Sequence, residues 1–289
     1  MNYRSIWISD VHLGSRHSQT GPLLEFLRQN ECQYLYLVGD FIDGWELKRR
    51  WHWSEDANTV IQKILRKNRK DTRVIYVHGN HDEFLQDFTG LNVGGVKIVP
   101  HAVHVTADRR RYLVIHGHQL DGLVQFNRLL ERVGARLYEA ILVFNTYFNR
   151  IRRRLGFGYW SVSAYLKQNT KSAVRYVTGF EEGMVQLARQ HRAYGVICGH
   201  IHRAEIRSIQ GVQYLNCGDW VESCTALVED FSGRFQLLNF HETTACSTRR
   251  GSGAHDPGAG IPAVEPTSRS PGGRRPSRDE SEPELAGLF

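Results

Sequence analysis

The stretch Ile6-Trp7-Ile8-Ser9-Asp10-Val11-His12 sets a short apolar run directly before an aspartate and a histidine that lie two residues apart. A continuous apolar run of this length is typical of a strand that is buried on both faces, as in a parallel sheet. Binding sites in such α/β folds lie beyond the carboxyl ends of the strands. The stretch therefore predicts a strand whose end brings Asp10 and His12 to a site.

The same arrangement recurs along the chain. Strand-like runs end at residues 38, 77, 115 and 198, and helical patterns at 23–27 and 58–65 lie between the earlier runs, which predicts an α/β fold. Polar segments follow these runs in the order Gly39-Asp40, Gly79-Asn80-His81-Asp82, His116-Gly117 and Gly199-His200-Ile201-His202. We expect all five segments to converge on one edge of the sheet.

The residue types in these segments are those that hard divalent ions bind. Carboxylate, amide and imidazole groups suit Mn²⁺, with Mg²⁺, Fe²⁺ and Zn²⁺ as alternatives, and the set contains no cysteine. Two metal ions roughly 3.5 to 4 Å apart clamp the attacking and leaving oxygens of a displacement and activate a water. The candidate ligands are Asp10, His12, Asp40, Asn80, His116, His200 and His202. The set predicts metal-dependent hydrolysis of a phosphodiester or phosphoanhydride.

Each segment alone also has a plain structural interpretation. An aspartate at a strand end often caps a helix, and Gly, Asn and Asp all favour turns. A single histidine is more often a loop or core residue than a ligand. Because five such segments occur in order, each after a strand-like run, the metal interpretation is the stronger one.

The order Asp-x-His, Gly-Asp-x-x-Asp, Gly-Asn-His-Asp, His and Gly-His-x-His resembles the calcineurin-like metallophosphoesterase family from residue 5 to about residue 240. The resemblance implies a four-layer α/β/β/α sandwich with a dinuclear Mn²⁺-type site. It assigns one ion to Asp10, His12, Asp40 and His202, and the other to Asp40, Asn80, His116 and His200. It also implies that His81 acts on the phosphoryl group or the leaving oxygen and that Asp43 orients its imidazole.

More specific stretches, at 37–45, 73–83, 152–167 and 196–227, resemble bacterial proteins grouped with UDP-2,3-diacylglucosamine pyrophosphatase. That resemblance implies hydrolysis of a nucleotide-linked lipid in lipid A synthesis. His81 stands where those pyrophosphatases have Arg, which indicates a paralogous branch. His118 stands where Asp is usual, so it either adds an imidazole near the site or is solvated. Gly44 and Asp82 replace the Arg and Glu of phosphoprotein phosphatases and disfavour that activity.

The basic residues are concentrated in one region. The net charge of the chain is +7, and residues 121–180 contain eight Arg and two Lys against one Asp and two Glu, which is the same excess. Apolar and basic residues alternate there at roughly helical spacing. We predict an inserted helical cap over 121–186, on a core formed by 1–120 and 187–242, whose arginines meet phosphates or an anionic membrane. The alternative is a helical pair with a solvated basic face.

Three residues of this segment, Ser163, Lys167 and Lys171, are spaced one helical turn apart and are candidate substrate-binding residues. Beyond the core, residues 243–289 are rich in Gly, Pro, Ser, Arg and Glu and lack strong apolar runs, which predicts a disordered tail. The five cysteines have neither C-x-x-C spacing nor the density of a disulfide framework, so we expect free thiols.

Two other functions are alternatives to hydrolysis of a nucleotide-linked or lipid-linked substrate. One is a metallophosphodiesterase of another substrate, including a nuclease that would use the basic segment to bind nucleic acid. That segment is rich in long aliphatic and aromatic residues, so nucleic acid is not the expected partner. A non-catalytic scaffold would lack metals, but every ligand position is filled. The N-terminus lacks the pattern of a secretory signal, so we expect a cytoplasmic protein with peripheral association with the inner membrane through the cap.

Overall fold

The computed structural model describes residues 1–121, 145, 147–156 and 171–240. The chain forms, in order, β1 (Asn2–Ile8), α1 (Thr20–Gln29), β2 (Glu31–Val38), α2 (Gly44–Arg49), α3 (Glu55–Asn68), β3 (Arg73–Val77), β4 (Asn92–Val93), β5 (Val96–Val99), β6 (Ala102–Val105), β7 (Arg111–Val114), α4 (Lys171–Gln190), β8 (Gly195–Cys198), β9 (Glu205–Ile209), β10 (Val212–Asn216), β11 (Thr225–Glu229) and β12 (Phe235–Asn239). Short 3₁₀ helices at Glu83–Phe88 and His118–Leu120 follow β3 and β7.

These strands form two sheets. One sheet has seven strands in the order β12-β11-β1-β2-β3-β5-β4, and the other has five in the order β6-β7-β8-β10-β9. The strands β1, β2, β3 and β5 run parallel, as do β7, β8 and β10, whereas the outer strands pair antiparallel. Parallel strands are covered on both faces, which is why β1 and β2 end in continuous buried runs.

Three apolar clusters separate four layers. The helices α1 and α3 pack on the outer face of the seven-stranded sheet through residues that include Leu23 and Val60. Trp7 and Tyr112 lie in the cluster between the two sheets. The helix α4 covers the remaining face of the five-stranded sheet, with Phe180 in the third cluster. The layer order is α/β/β/α, and the predicted fold class is confirmed.

Local signals explain the helix boundaries. The hydroxyl of Ser54 accepts a hydrogen bond from the backbone N–H of Ala57 at 3.1 Å and so caps α3. The helix therefore begins three residues before the predicted range of 58–65, and it buries Val60 and Ile64 on one side. Among the residues described, none of the helices combines the length and the apolar composition that a bilayer span requires.

The candidate segments leave the ends of strands in both sheets. The strands β1, β2 and β3 lead to Asp10, Asp40 and Asn80 in one sheet, whereas β7 and β8 lead to His116 and His200 in the other. The expectation of a single sheet edge is therefore wrong. The two sheets stack face to face through the central apolar cluster, so the loops of both reach the same end of the sandwich.

Several predictions about the cap fall outside the described part of the chain. Ser163 and Lys167 lie outside it, and Lys171 begins α4 with a side chain that is also outside it. The same holds for 122–144, 157–170 and all of 241–289. The boundaries of the cap and the tail therefore stay predictions.

Candidate metal centre

The loops that carry the candidate ligands are tightly turned. Left-handed backbone conformations, with φ between 49° and 70°, occur at Asp10, His12, Asp40, His200 and His202. Such conformations cost a residue other than glycine about 1 to 2 kcal/mol and are retained mainly at functional sites. A hydrogen bond of 2.9 Å from the backbone N–H of His12 to the carbonyl of Asp40 ties the first two loops together.

Asp10, His12 and His202 form one donor group. Their potential ligand atoms all lie within 4.8 Å of one another. Oδ1 of Asp10 lies 3.3 Å from Nε2 of His202, and its Oδ2 accepts the backbone N–H of His200 at 2.9 Å. Because Asp10 is fully buried, its carboxylate has no solvent to turn towards.

Asp40, His116 and His200 form a second donor group with the same close spacing. Oδ2 of Asp40 lies 3.3 Å from Nε2 of His116 and 4.0 Å from Nε2 of His12. Its other oxygen accepts the backbone N–H of His81 at 2.8 Å. The Asp40 carboxylate therefore lies between the two donor groups, as a bridging ligand would.

Two glycines let these loops approach so closely. A Cβ at Gly39, where φ is 74°, would collide with the ring of His116, and a Cβ at Gly79 would collide with the carboxylate of Asp40. The chain leads from Gly79 straight to Asn80. Each glycine therefore stands where a side chain would displace a candidate ligand.

Five candidate ligands keep a buried polar atom that has no hydrogen-bond partner among the described residues. These atoms are Asp10 Oδ1, His12 Nε2, Asn80 Oδ1, His116 Nε2 and His202 Nδ1. Buried polar atoms are nearly always satisfied, and leaving one unpaired costs about 1 to 3 kcal/mol. Oxygen and imidazole donors without thiolates are the set that hard divalent ions prefer. The residues present therefore fit a pair of divalent metal ions.

Asp43 bridges two imidazoles. Its Oδ1 lies 3.0 Å from Nδ1 of His81 and accepts the backbone N–H of Glu46, which caps α2, while its Oδ2 lies 3.1 Å from Nδ1 of His12. The carboxylate is thus held by the start of a helix and holds both rings. The ring of His81 also lies 4.2 Å from that of Trp45, centroid to centroid, at the partly exposed rim of the site.

Asp121 was not among the residues predicted from the sequence, and the sequence left two interpretations of His118. Oδ1 of Asp121 lies 2.8 Å from Nε2 of His200 and accepts a hydrogen bond from the hydroxyl of Tyr176 at 2.9 Å. No motif signalled this contact, because 79 residues separate Asp121 from His200. His118 is half-buried, 5.6 Å from His116 between ring centroids, and burial together with the neighbouring imidazoles lowers its pKa to about 4.

A sequence model of the calcineurin-like phosphoesterase family matches residues 3–204. The chain belongs to this family. The predicted enzyme class, a metal-dependent hydrolase, is confirmed with it.

Individual proteins are also similar to this chain. A protein of Psychromonas ingrahamii named UDP-2,3-diacylglucosamine hydrolase is 26% identical over 75% of this chain and 89% of its own length. A protein of the same name from Neisseria meningitidis is 30% identical over 74% of this chain and 88% of its own length. A solved structure of an archaeal phosphodiesterase aligns with a TM-score of 0.38 and 14% identity, over 81% of this chain and 98% of the other.

The buried carboxylates of this calcineurin-like phosphoesterase draw positive charge into the site. Burial opposes ionisation of Asp10, but the imidazoles of His202 and His116 outweigh it and lower the pKa of Asp10 to about 2. Burial likewise opposes protonation of His116, but Asp40 raises the pKa of His116 to about 10. Cations at this position would provide the charge that the carboxylates attract, and they would displace those protons.

Proposed function

We propose that this phosphoesterase hydrolyses the phosphoanhydride of a nucleotide-linked lipid of the UDP-2,3-diacylglucosamine type. The proposal depends above all on the two donor groups and on the Asp40 carboxylate that lies between them. A pair of cations held there would clamp the attacking and leaving oxygens of a phosphoanhydride. Support for the substrate comes from the names of the curated relatives, which share 26% and 30% identity with the chain. The basic character of residues 121–180 agrees with a phosphate-rich substrate.

The chain offers a complete ligand set for two ions. We assign one ion to Asp10, His12, Asp40 and His202, and the other to Asp40, Asn80, His116 and His200. Mn²⁺ is the proposed metal, and Mg²⁺, Fe²⁺ and Zn²⁺ accept similar ligands. When bound, the ions would supply charge neutralisation and activation of a water.

His81 is the proposed general acid. Its Nδ1 is engaged by Asp43, so its other ring nitrogen is available to donate a proton to the leaving oxygen. The ring is partly exposed, with 26% of the side chain accessible, whereas Asp43 is buried. We propose that Asp43 fixes the orientation of this imidazole and that Trp45 limits its movement from the side.

The described part of the basic segment supports peripheral binding to an anionic membrane. Residues 147–156 expose the basic Arg150, Arg153 and Arg154 next to the apolar Ile151 and Leu155, which are 58% and 67% exposed. Basic and apolar side chains together favour attachment to anionic lipid surfaces. Residues 147–154 are helical, and we propose that this helix docks on the membrane that holds the substrate. Ser163, Lys167 and Lys171 are the proposed substrate-binding row of the same cap.

The test is a substrate panel with purified protein and Mn²⁺. It compares UDP-2,3-diacylglucosamine, a UDP-sugar without acyl chains, bis-p-nitrophenyl phosphate and single-stranded DNA. We expect Mn²⁺-dependent release of UMP, fastest from the diacylated substrate, and no release by the His116→Ala variant. Faster cleavage of DNA, or no hydrolysis of either UDP compound, would contradict the proposal.

A further inference from the structure

Two candidate ligand histidines, His116 and His12, share one arrangement of their rings. Nδ1 of His116 donates to the carbonyl of Val38 at 2.9 Å, which leaves Nε2 unpaired. Nδ1 of His12 is engaged by Asp43 at 3.1 Å, which again leaves Nε2 unpaired. In each ring one nitrogen is held by an oxygen acceptor and the other is left for an ion. This is the usual arrangement of metal-binding histidines.

In His200 the nitrogen that an oxygen acceptor engages is Nε2 instead. Its Nε2 lies 2.8 Å from Oδ1 of Asp121, which is within hydrogen-bond distance. The Asp121 oxygen is itself held by the hydroxyl of Tyr176 on α4 at 2.9 Å. Asp121 is not a member of the donor group formed by Asp40, His116 and His200. Its carboxylate therefore contacts a ligand and not the centre of the site.

We propose that Asp121 is a positioning residue that holds His200 in the Nε2–H tautomer and leaves Nδ1 to bind the second ion. A carboxylate acceptor at Nε2 places the proton there, so the lone pair of Nδ1 is free for the metal. The proposal rests on the proposed function, since it needs the second ion. It adds Asp121, which lies at the start of the basic segment, to the residues that support the metal centre.

The geometry also connects that segment to the metal centre. Asp121 precedes residues 122–170 in the sequence and Tyr176 follows them. The hydrogen bond between the two side chains lies next to His200. The Tyr176 hydroxyl itself lies 3.4 Å from Nε2 of His200. Residues that flank 122–170 in the sequence thus meet beside His200, the proposed ligand of the second ion.

The test measures Mn²⁺ binding to chelator-treated protein by equilibrium dialysis. Wild type is compared with Asp121→Asn, Asp121→Ala and the control Asp71→Asn, which removes the same charge at an exposed position with φ of 70°, a conformation that Asn tolerates. We expect two ions per chain in wild type and in the control. Both Asp121 variants should bind one ion normally and the second roughly 10- to 100-fold more weakly.

A spectroscopic measurement separates positioning from a general structural role. In a long-range ¹H–¹⁵N NMR spectrum of the metal-free protein, with His200 identified by its loss in His200→Gln, we expect the Nε2–H tautomer in wild type and in Asp71→Asn. Asp121→Ala should lose that preference while the other histidine signals stay in place.

Three outcomes would overturn the proposal. Unchanged binding of both ions by the Asp121 variants would remove the positioning role and leave the proposed function intact. A raised KM in Asp121→Asn with normal metal binding would make Asp121 a substrate contact instead. Wild type that binds no pair of ions would overturn the proposed function and this inference together.

Discussion

At the scale of single residues, Asp40 is the most connected ligand, because its carboxylate lies between the two donor groups. Asp40→Ala is expected to weaken binding of both ions by more than the roughly 10- to 100-fold that loss of an outer hydrogen-bond partner costs. The turnover rate of this variant should fall because the ions are lost. Mn²⁺ binding and Mn²⁺-dependent hydrolysis check this, and preserved activity of the variant would count heavily against the site.

His81 has a different expected phenotype, because it is proposed to act on the substrate. His81→Ala should lower kcat by roughly 10² to 10⁴, the range for loss of a general acid, while both ions stay bound. The control is His191→Ala, which removes an exposed imidazole just beyond the end of α4. Loss of metal from His81→Ala, or an unchanged kcat, would refute this role.

Some residues of the site could be predicted from the sequence, and others could not. Asp10, Asp40, Asn80, His116 and His200 could be predicted because each follows a strand-like run, and those runs are readable. The contacts of Asp43 with His12 and of Asp121 with His200 could not be predicted, since they depend on how distant loops turn. Asp43 belongs to the Gly-Asp-x-x-Asp motif, whereas no motif marked Asp121.

At the scale of elements, strands buried on both faces were the predictable ones. The strands β1, β2 and β3 contain continuous apolar runs, so their carboxyl ends could be located in the sequence. The edge strand β9 exposes its middle residues and has no such run, so pattern alone did not identify it. Pairing into two sheets was also not readable, because it depends on contacts between distant strands.

The loop after β2 permits an element-scale prediction with a matched control. Gly39→Ala and Gly90→Ala both place a side chain at positive φ, 74° and 85°, which costs about 1 to 2 kcal/mol in each. The added Cβ meets the His116 ring at Gly39 but open space at Gly90. Only Gly39→Ala should lose Mn²⁺ binding in equilibrium dialysis. Equal metal binding by the two variants would show that this close approach is not required.

At the scale of the whole molecule, a buried polar network joins the two sheets away from the metal centre. Glu229 on β11 is fully buried and pairs with Arg4 on β1 at 2.8 Å. It also lies 2.9 Å from Nε2 of His104 on β6, the edge strand of the other sheet. The network therefore links strands of both layers.

This network makes stability depend on pH in a defined direction. Burial raises the pKa of Glu229, but hydrogen bonds from His104, Ala107 and Ser5 outweigh it, so its pKa lies below the ordinary 4.5. A carboxyl group with a lowered pKa stabilises the fold above its unfolded pKa and loses that contribution as the pH falls through the folded value. We therefore expect the contribution at neutral pH to disappear below about pH 4.5.

Glu229→Gln should lower the free energy of unfolding at pH 7 by about 3 kcal/mol, since it breaks a buried ion pair. Its stability should also fall less steeply than that of wild type below pH 4.5. Urea unfolding at several pH values measures both effects. The control is Glu182→Gln at an exposed position on α4. Parallel pH profiles for wild type and Glu229→Gln would show that Glu229 does not carry this dependence.

The loops of both sheets are expected to enclose a pair of divalent cations. Crystals grown with Mn²⁺ and measured at the manganese absorption edge would locate these ions. We expect two anomalous peaks roughly 3.5 to 4 Å apart, on either side of the Asp40 carboxylate. One peak should contact Asp10 and His202, and the other should contact His116 and His200. If protein that still folds shows neither peak at this position, the loops do not form a paired-metal site.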